Sequence, residues 1–241
     1  MRIDKDLCIS CEACLPYCPL GVISMKNDLA VIDRDECVEC GACFRSQSCP
    51  VDAFVEEESP YPRSIRANFS NPLLSKPVTG LAGRGTEEMK TNDVTGRFKK
   101  GRVGLGIEPG RPGTGARFRD VEKITKAMAK LGAHFEPQNP ISSLMTDTKT
   151  GELKKEILNE KVMSCVIECD FPMEKLPDAL KALDEVAKDV DCAFSIACIG
   201  RAEPDGTMPL EKLLKDLKIP YYINSKNNVG LGRPLAEEAG R

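Results

Sequence analysis

The sequence predicts an α+β protein in which a small cysteine-rich domain is followed by an extended arm and a β-α-β-β-α-β domain. Eight of the twelve cysteines lie within the first 49 residues. Prolines and glycines then interrupt residues 59–100, and from residue 101 apolar residues recur with the periods of strands and helices. The predicted boundaries are 1–58 for the cysteine-rich domain, 59–100 for the arm, 101–200 for the second domain and 201–241 for a C-terminal extension.

Two cysteine runs in the first domain form an internal duplication. They read Cys8-x2-Cys11-x2-Cys14-x3-Cys18-Pro19 and Cys37-x2-Cys40-x2-Cys43-x5-Cys49-Pro50, and their first three cysteines recur at an offset of 29 residues. Three cysteines at this spacing wrap one tight loop around three corners of a 4Fe–4S cube, so the fourth ligand must come from elsewhere. A zinc site would use two CxxC pairs and would leave four of these cysteines unexplained: Cys14, Cys18, Cys43 and Cys49.

The two runs resemble those of bacterial ferredoxins with two 4Fe–4S clusters, and the resemblance covers residues 1–58. It implies two short helices after the triple-cysteine loops and two small hairpins, one of them formed by 21–25 and 29–32. It also implies that the Cys-Pro cysteine of each run binds the other cluster. Two 4Fe–4S clusters are therefore expected, cluster I on Cys8, Cys11, Cys14 and Cys49 and cluster II on Cys37, Cys40, Cys43 and Cys18.

The second run departs from the family pattern in its length. It has five residues, 44–48, between its third and fourth cysteines, where the first run has three. The longer loop lies beside Cys49, the fourth ligand expected for cluster I. Its effect on the hydrogen bonding, solvent access and potential of that cluster is left open by the sequence.

The arm, 59–100, contains prolines followed by glycines and lacks the periodicity of a helix or a strand. Apolar residues are nevertheless scattered through it, which is not typical of a disordered tail. A stretch of this length without regular structure exceeds an ordinary connection. Two interpretations follow: the arm lies over a partner subunit, or it wraps over the chain's own second domain.

Hydrophobic periodicity divides the second domain into strands and helices. The order, which is that of the split βαβ arrangement called ferredoxin-like, is unrelated to iron–sulfur ferredoxins and hosts many functions. A further short helix is predicted at 210–217. The elements predicted in order are a strand over 102–108, a helix over 118–131, a strand near 134–136 that 141–146 continues, a hairpin tip at 147–151, a strand over 161–169, a helix over 173–188 and a strand over 191–199.

A glycine-rich loop, 110–115, lies between the first strand and the first helix of this domain. Its backbone N–H groups, with three arginines nearby, could cradle an anion, although the loop matches neither the Walker nor the dinucleotide pattern. The alternative is a tight structural turn with solvated arginines. The arginines concerned are Arg111, Arg117 and Arg119.

The remaining four cysteines fall in the third and fourth strands, with Cys165 and Cys169 on one and Cys192 and Cys198 on the other. Their apolar neighbours favour buried thiols that act as small hydrophobic side chains. A third metal site is the alternative. It would have to span two strand spacings, roughly 10 Å, because the first strand separates the two in the predicted topology.

Composition excludes several classes of function. The formal net charge of −3 gives no electrostatic reason to expect nucleic acid or an anionic membrane as a partner. No apolar run reaches the roughly 18 residues of a membrane span, and the N-terminus lacks the apolar core of a secretion signal. We therefore expect a soluble, cytoplasmic protein. His134 is the only histidine, so no catalytic residue is predicted.

These features predict an iron–sulfur electron-transfer subunit that relays low-potential electrons to or from a catalytic partner in an anaerobic redox complex. The expected partners are a catalytic oxidoreductase subunit with a flavin or a metal centre, and a soluble electron donor or acceptor. One alternative comes from 83–93 and 108–118, which resemble an iron–sulfur protein family associated with 6-hydroxynicotinate reduction in anaerobes; the resemblance implies ferredoxin-linked reduction of an aromatic or N-heterocyclic ring. A third interpretation is a regulatory or assembly module that senses a small molecule.

Overall fold

The computed structural model describes residues 1–74, 79–80, 83–84 and 98–222. Helices and strands are mixed along the chain, as an α+β protein requires. No helix within these residues is long and apolar enough to cross a membrane.

The cysteine-rich region is built from short elements. A 3-10 helix, Leu15–Tyr17, follows the first triple-cysteine loop, and α1, Ala42–Arg45, follows the second. The predicted hairpin is present as β2, Ile23–Lys26, and β3, Leu29–Ile32. Its two turn residues, Asn27 and Asp28, have φ values of 51° and 61°, the conformation of a type I′ turn.

The resemblance implies a second hairpin, but the second strand pair in residues 1–58 is not a hairpin. Instead β1, Arg2–Ile3, pairs antiparallel with β4, Phe54–Val55, so the two ends of the cysteine-rich region close on each other. The two strands cannot form a hairpin because β1 precedes the first cysteine run and β4 follows the second.

The segment predicted to be an extended arm begins with a helix, α2, Ser64–Ser70. Ile65 and Phe69 lie four residues apart and therefore share one helical face, which is buried against the second domain. The ring of Phe69 meets that of Phe118 edge-on at 5.5 Å. Prolines precede and follow this helix rather than prevent it. Over these residues the chain wraps over its own second domain, while 75–78, 81–82 and 85–97 of the predicted arm lie outside the described residues.

The second domain is organised around a four-stranded antiparallel sheet. Its central strand, β5, Arg102–Pro109, pairs on one side with β11, Ile167–Pro172, and on the other with β12, Phe194–Ile199. The edge strand β7, His134–Phe135, pairs with the far side of β11. The first strand thus lies between the third and the fourth, as the sequence predicted.

Two amphipathic helices bury their apolar sides against one face of this sheet. They are α3, Phe118–Lys130, and α4, Leu176–Val186, which a 3-10 turn, Met173–Lys175, precedes. The helix predicted in the C-terminal extension is α5, Pro209–Asp216, and it joins the same core through Leu210 and Leu214. The extension from residue 223 onward lies outside the described residues.

The predicted strand 161–169 is wrong as a single element. Its first part is β10, Lys161–Val162, which pairs with β6, Ala116–Arg117. The chain then leaves the β6 ladder for β5: the N–H of Cys165 donates to the carbonyl of Pro109, in register with the later pairing of β11 and β5, and that of Val166 donates to the carbonyl of Arg84. The apolar run continues through this break, since the side chains stay buried, and periodicity alone therefore hides it.

The residues 141–146 do not continue the second strand. They form a 3-10 turn, Ser142–Leu144, which the side chain of Asn139 begins by accepting the N–H of Ile141 at 2.7 Å. The chain then enters a hairpin of β8, Met145–Asp147, and β9, Glu152–Leu153. Its tip is the one predicted at 147–151. The fourth strand also begins later than predicted, at residue 194 instead of 191.

Candidate iron–sulfur site

The eight cysteines of the duplicated runs line two neighbouring pockets, which we call the first and the second pocket. The first pocket is lined by Cys8, Cys11, Cys14 and Cys49. The second is lined by Cys18, Cys37, Cys40 and Cys43. In each pocket the triple of one run is joined by the Cys-Pro cysteine of the other run. The described residues contain no group of three or more His, Cys, Asp or Glu placed to hold a single metal ion. Four cysteines without disulfide bonds around an apolar space are instead a donor set that could hold a cluster of several irons.

The triple-cysteine loops share one unusual backbone conformation. Ser10 and Glu12 have φ values of 61° and 58°, and their equivalents Glu39 and Gly41 have 53° and 69°. Left-handed residues in alternation curl the chain around a centre, and such loops present a concave run of backbone N–H groups that suits an anion. The duplication is therefore structural as well as sequential, and it extends through the loops that face the pockets.

The fourth cysteine of each run receives the same hydrogen bond. The N–H of Val22 donates to Cys18 Sγ at 3.3 Å, and the N–H of Ala53 donates to Cys49 Sγ at 3.3 Å. The two extra residues before Cys49 leave this bond unchanged. They are accommodated at the end of α1, where the hydroxyl of Ser46 donates to the carbonyl of Cys43 at 2.7 Å. The hydrogen bonding of the first pocket's fourth cysteine, which the sequence left open, thus matches that of the second.

Solvent access distinguishes the two pockets. Ile9 lines the first pocket and Val38 occupies the equivalent position in the second, yet Ile9 is 58 % exposed and Val38 is 3 % exposed. The middle cysteines differ in the same sense, since Cys11 is exposed and Cys40 is half-buried. The first pocket is therefore open at its triple-cysteine loop, whereas the loop of the second is covered.

The cover of the second pocket comes from α2. Arg66, which is 3 % exposed, donates through Nη1 to the carbonyls of Asp35 at 2.6 Å and Cys37 at 2.8 Å, and its Nε pairs with Glu160. One turn earlier, Arg63 pairs with Glu39 at 2.6 Å. Arg66 of α2 and Arg63 immediately before it thus bind the backbone and a side chain of the second triple-cysteine loop.

A second set of ion pairs joins the same loop to β6 and β10. The carboxylate of Glu36 accepts from Lys161 Nζ at 2.5 Å and from Arg117, and Arg117 also contacts Asp35 at 2.7 Å. The hydrogen bond from Lys161, with a further one from Arg117, lowers the pKa of Glu36 below its ordinary value despite partial burial. The residues just before Cys37 are therefore held by the second domain.

Burial affects the thiols themselves. Desolvation raises the pKa of Cys43 to about 11, and it also raises the pKa of Cys14, Cys37 and Cys40. These thiols are protonated near neutral pH when no metal is bound. Because iron binds the thiolate, cluster binding must release their protons.

The four cysteines of the second domain do not form a comparable ring. Cys165 and Cys169 are buried, and Cys192 and Cys198 are half-buried. Leu105 of β5 lies opposite Cys169 on one side and Cys198 on the other, so the central strand separates these two cysteines. Cys165 and Cys192 lie outside the two paired strands, and their thiols interact electrostatically. Burial raises the pKa of all four thiols. These surroundings fit small hydrophobic side chains in the core.

The arginines around the loop 110–115 are mostly engaged with carboxylates. Arg111 pairs with Glu108 at 2.7 Å, and Arg117 binds the acidic residues before Cys37. Arg119 is exposed. The loop itself packs near the second pocket, where Leu20 approaches Gly115. The turn interpretation holds for its backbone, while Arg117 is a link between the two halves of the molecule rather than a solvated side chain.

Sequence reasoning missed Arg66, Glu160 and Lys161, which act on the second cysteine loop from up to 125 residues away. No local motif marks them. The one available signal was the spacing of Ile65 and Phe69, which predicts a helical face and would have placed Arg66 on a helix.

Of the comparisons with known proteins, a family model matches the segment that contains the first cysteine run. The search of curated proteins gives no match. Residues 1–24 match the family model described as a 4Fe-4S binding domain, a match that includes the whole run from Cys8 to Cys18. The N-terminal segment is therefore a 4Fe–4S-binding segment, and the match supports an iron–sulfur electron-transfer role.

Proposed function

We propose that this chain is an iron–sulfur electron-transfer subunit with two 4Fe–4S clusters, relaying low-potential electrons to or from a catalytic oxidoreductase subunit of an anaerobic complex. The observation that supports it best is the pair of four-cysteine pockets. Cluster I would be held by Cys8, Cys11, Cys14 and Cys49, and cluster II by Cys37, Cys40, Cys43 and Cys18.

Each cluster, when bound, supplies the capacity to take up and give back one electron. The chain contributes thiolate ligands, the N–H bonds from Val22 and Ala53 to the fourth ligands, and apolar walls that exclude water. Hydrogen bonds to sulfur stabilise the more negative, reduced state and so raise the potential. Because the two bonds are alike, we attribute differences between the clusters to burial and charge.

The placement of the pockets supports a relay. Ala30 lines the first pocket and Ile32 lines the second, and both belong to β3. Residues two apart on a strand lie on the same face, roughly 7 Å apart along it. Two clusters held in these pockets would therefore be near neighbours, which a one-electron relay requires.

We further propose that residues 101–200 form a ferredoxin-like split βαβ domain that follows a two-cluster domain of residues 1–58. The order fourth, first, third, second strand in the antiparallel sheet supports this assignment. The segment 59–100 then begins as a cover, through α2, over the junction between the two.

A ring reductase is the second candidate, and one contact favours it. The two segments that resemble the 6-hydroxynicotinate family meet, because Arg84 of the first pairs with Glu108 of the second at 3.2 Å and also contacts Ser164. Residues 85–93 of the first segment lie outside the described residues. Oxidation of the dithionite-reduced protein on adding an N-heterocyclic acid would support this candidate, and unchanged reduction would exclude it for that compound.

Iron content tests the main proposal. Protein purified anaerobically should contain about eight iron atoms per chain, two cubes of four. Electron paramagnetic resonance of the reduced protein should show two interacting paramagnets. A value near four would contradict the second cluster, and a value near twelve would indicate a third site at the cysteines of the second domain.

The partner is tested by purification from the native source without detergent. Co-elution with a larger oxidoreductase subunit, and loss of the electron transfer of that subunit when this chain is removed, are the expected results. A chain that elutes alone at every stage and supports no electron transfer would contradict the subunit proposal.

A further inference from the structure

Among the described residues, two buried ion pairs lie against the second cysteine loop: the N-terminal amine of Met1 pairs with Glu39, and Arg66 pairs with Glu160. The second of these joins the loop to a distant part of the chain. We propose that Arg66 and Glu160 are positioning residues that set the potential of the cluster in the second pocket, with opposite effects. This inference rests on the proposed function, since it concerns a cluster held by Cys37, Cys40, Cys43 and Cys18.

Arg66 reaches the loop directly. Its guanidinium donates to three backbone carbonyls, two before Cys37 and that of Cys37 itself. They belong to Arg34 at 3.3 Å, Asp35 at 2.6 Å and Cys37 at 2.8 Å. The contact with the Cys37 carbonyl places a permanent positive charge on the backbone of a ligand residue, whose thiol is also influenced by Glu39, Arg63 and the N-terminal amine. At 3 % exposure, water does not screen that charge effectively.

Glu160 balances this charge from the second domain. Its carboxylate pairs with Arg66 Nε, and its side chain is 14 % exposed. The pair spans 94 residues of sequence and joins α2 to the residues that precede β10. Two opposite charges beside the pocket have a small net effect on the potential of the cluster, whereas either charge alone has a large effect on it.

Reduction adds one electron, and so one negative charge, to the cluster. A nearby positive charge favours the reduced state and a nearby negative charge disfavours it. Arg66→Gln leaves Glu160 unbalanced and should shift the midpoint potential of the second cluster to a more negative value. Glu160→Gln leaves Arg66 with only the exposed carboxylate of Asp35, 3.9 Å away, and should shift the potential to a more positive value.

The opposite signs separate this role from a purely structural one. If the pair only held α2 against the loop, both variants would loosen the same contact and would change the cluster in the same direction. The other charged groups around the loop are the same in both variants, so they cancel in the comparison: the N-terminal amine of Met1, Asp35, Glu36, Glu39, Arg63, Arg117 and Lys161.

The test is a redox titration of the full-length holoprotein followed by electron paramagnetic resonance, with iron measured on the same samples. The variants are Arg66→Gln, Glu160→Gln and the double variant. Arg102→Gln serves as the matched control, because Arg102 pairs with the buried Asp170 but touches no cysteine loop. We expect the midpoint potential of the second cluster to shift in opposite directions in the two single variants. The double variant should lie between them, and the control should match the wild type.

Shifts in the same direction, or no shift in protein that keeps about eight irons, would overturn the inference. If Arg66→Gln loses the second cluster, Glu160→Gln decides alone: a positive shift supports the inference and an unchanged midpoint overturns it. A wild-type protein with about four irons would instead contradict the proposed function, and the inference would fall with it. The iron count therefore distinguishes the two failures.

Discussion

Residues 9 and 38 are equivalent in the duplicated cysteine runs, yet Ile9 is 58 % exposed and Val38 is 3 % exposed. The loops around them have the same left-handed residues, and the fourth cysteines accept N–H bonds of equal length. The difference therefore does not come from the cysteine motif. It comes from what the rest of the chain places against one copy of that motif.

The second loop is bound by α2 and by the strands β6 and β10, whereas among the described residues no ion pair joins the second domain to residues 8–14 of the first loop. A duplicated ligand framework has thus been given two different environments. In the proposed relay, the open pocket is the one accessible to an external redox protein, and the covered pocket is the one that the second domain can influence.

The largest expected effect comes from replacing the fourth cysteine of each run by alanine. Cys18→Ala should lose the cluster of the second run, and Cys49→Ala should lose that of the first. Each variant should retain about half of the iron of the wild-type protein. The remaining spectrum identifies which cluster survives in each variant, and Cys198→Ala is the control with full iron content. Loss of the first cluster in Cys18→Ala would refute the crossed assignment.

A smaller effect compares the equivalent positions 9 and 38. Val38→Ala should lower the free energy of unfolding by about 2 kcal/mol, because it removes buried methyl groups and leaves a cavity. Ile9→Ala should change it by less than about 0.5 kcal/mol, since the side chain is largely in solvent. Anaerobic guanidinium unfolding of both variants measures the difference, and equal losses would show that the two loops are equally covered.

The smallest effect concerns Glu36 and pH. Since its pKa is lowered in the folded protein, its contribution to stability is present above the ordinary value of 4.5 and is lost as pH falls through the folded pKa. Wild type should therefore exceed Glu36→Gln in stability by at most about 1 kcal/mol near neutral pH, and the difference should shrink below pH 4.5 and in high salt. Denaturant midpoints across this range measure it.

The matched control for this prediction is Asp184→Asn, which removes an exposed pair with Lys188 that touches no cysteine loop. It should show little dependence on pH. A difference between wild type and Glu36→Gln that stays constant below pH 4.5 would mean that Glu36 does not hold the loop through its charge.

Much of the candidate site follows from local sequence. The spacing of the cysteines predicts the two triples, the resemblance to two-cluster ferredoxins implies the crossed sets that the structure brings together, and the turn at Asn27 and Asp28 follows from residues that tolerate positive φ. Whether each cysteine binds iron in these sets stays a prediction. The central position of β5 also follows from the order of strands and helices, because connection rules leave few alternatives.

The parts that could not be predicted depend on distant residues. Helix α2 has only seven residues and is stabilised by burying Ile65 and Phe69 against the second domain, so local propensity gives a weak signal. The break before β11 depends on the carbonyls of Pro109 and Arg84 accepting two N–H groups. Arg66 has no spacing relative to the cysteines that would mark it, since its role depends on where the fold places it.

Two ion pairs on the second loop join residues that are far apart in the sequence, Arg66 with Glu160 and Glu36 with Lys161. This distance has a consequence for synthesis of the chain. The residues that line the first pocket all lie between positions 3 and 54, so this pocket can be complete while most of the chain is still unmade. The residues that line the second pocket, and Arg63 and Arg66 that cover it, are also made early, whereas Glu160 and Lys161 follow their partners Arg66 and Glu36 by 94 and 125 residues. During translation both pockets can therefore be complete before the second loop gains its ion pairs from the second domain.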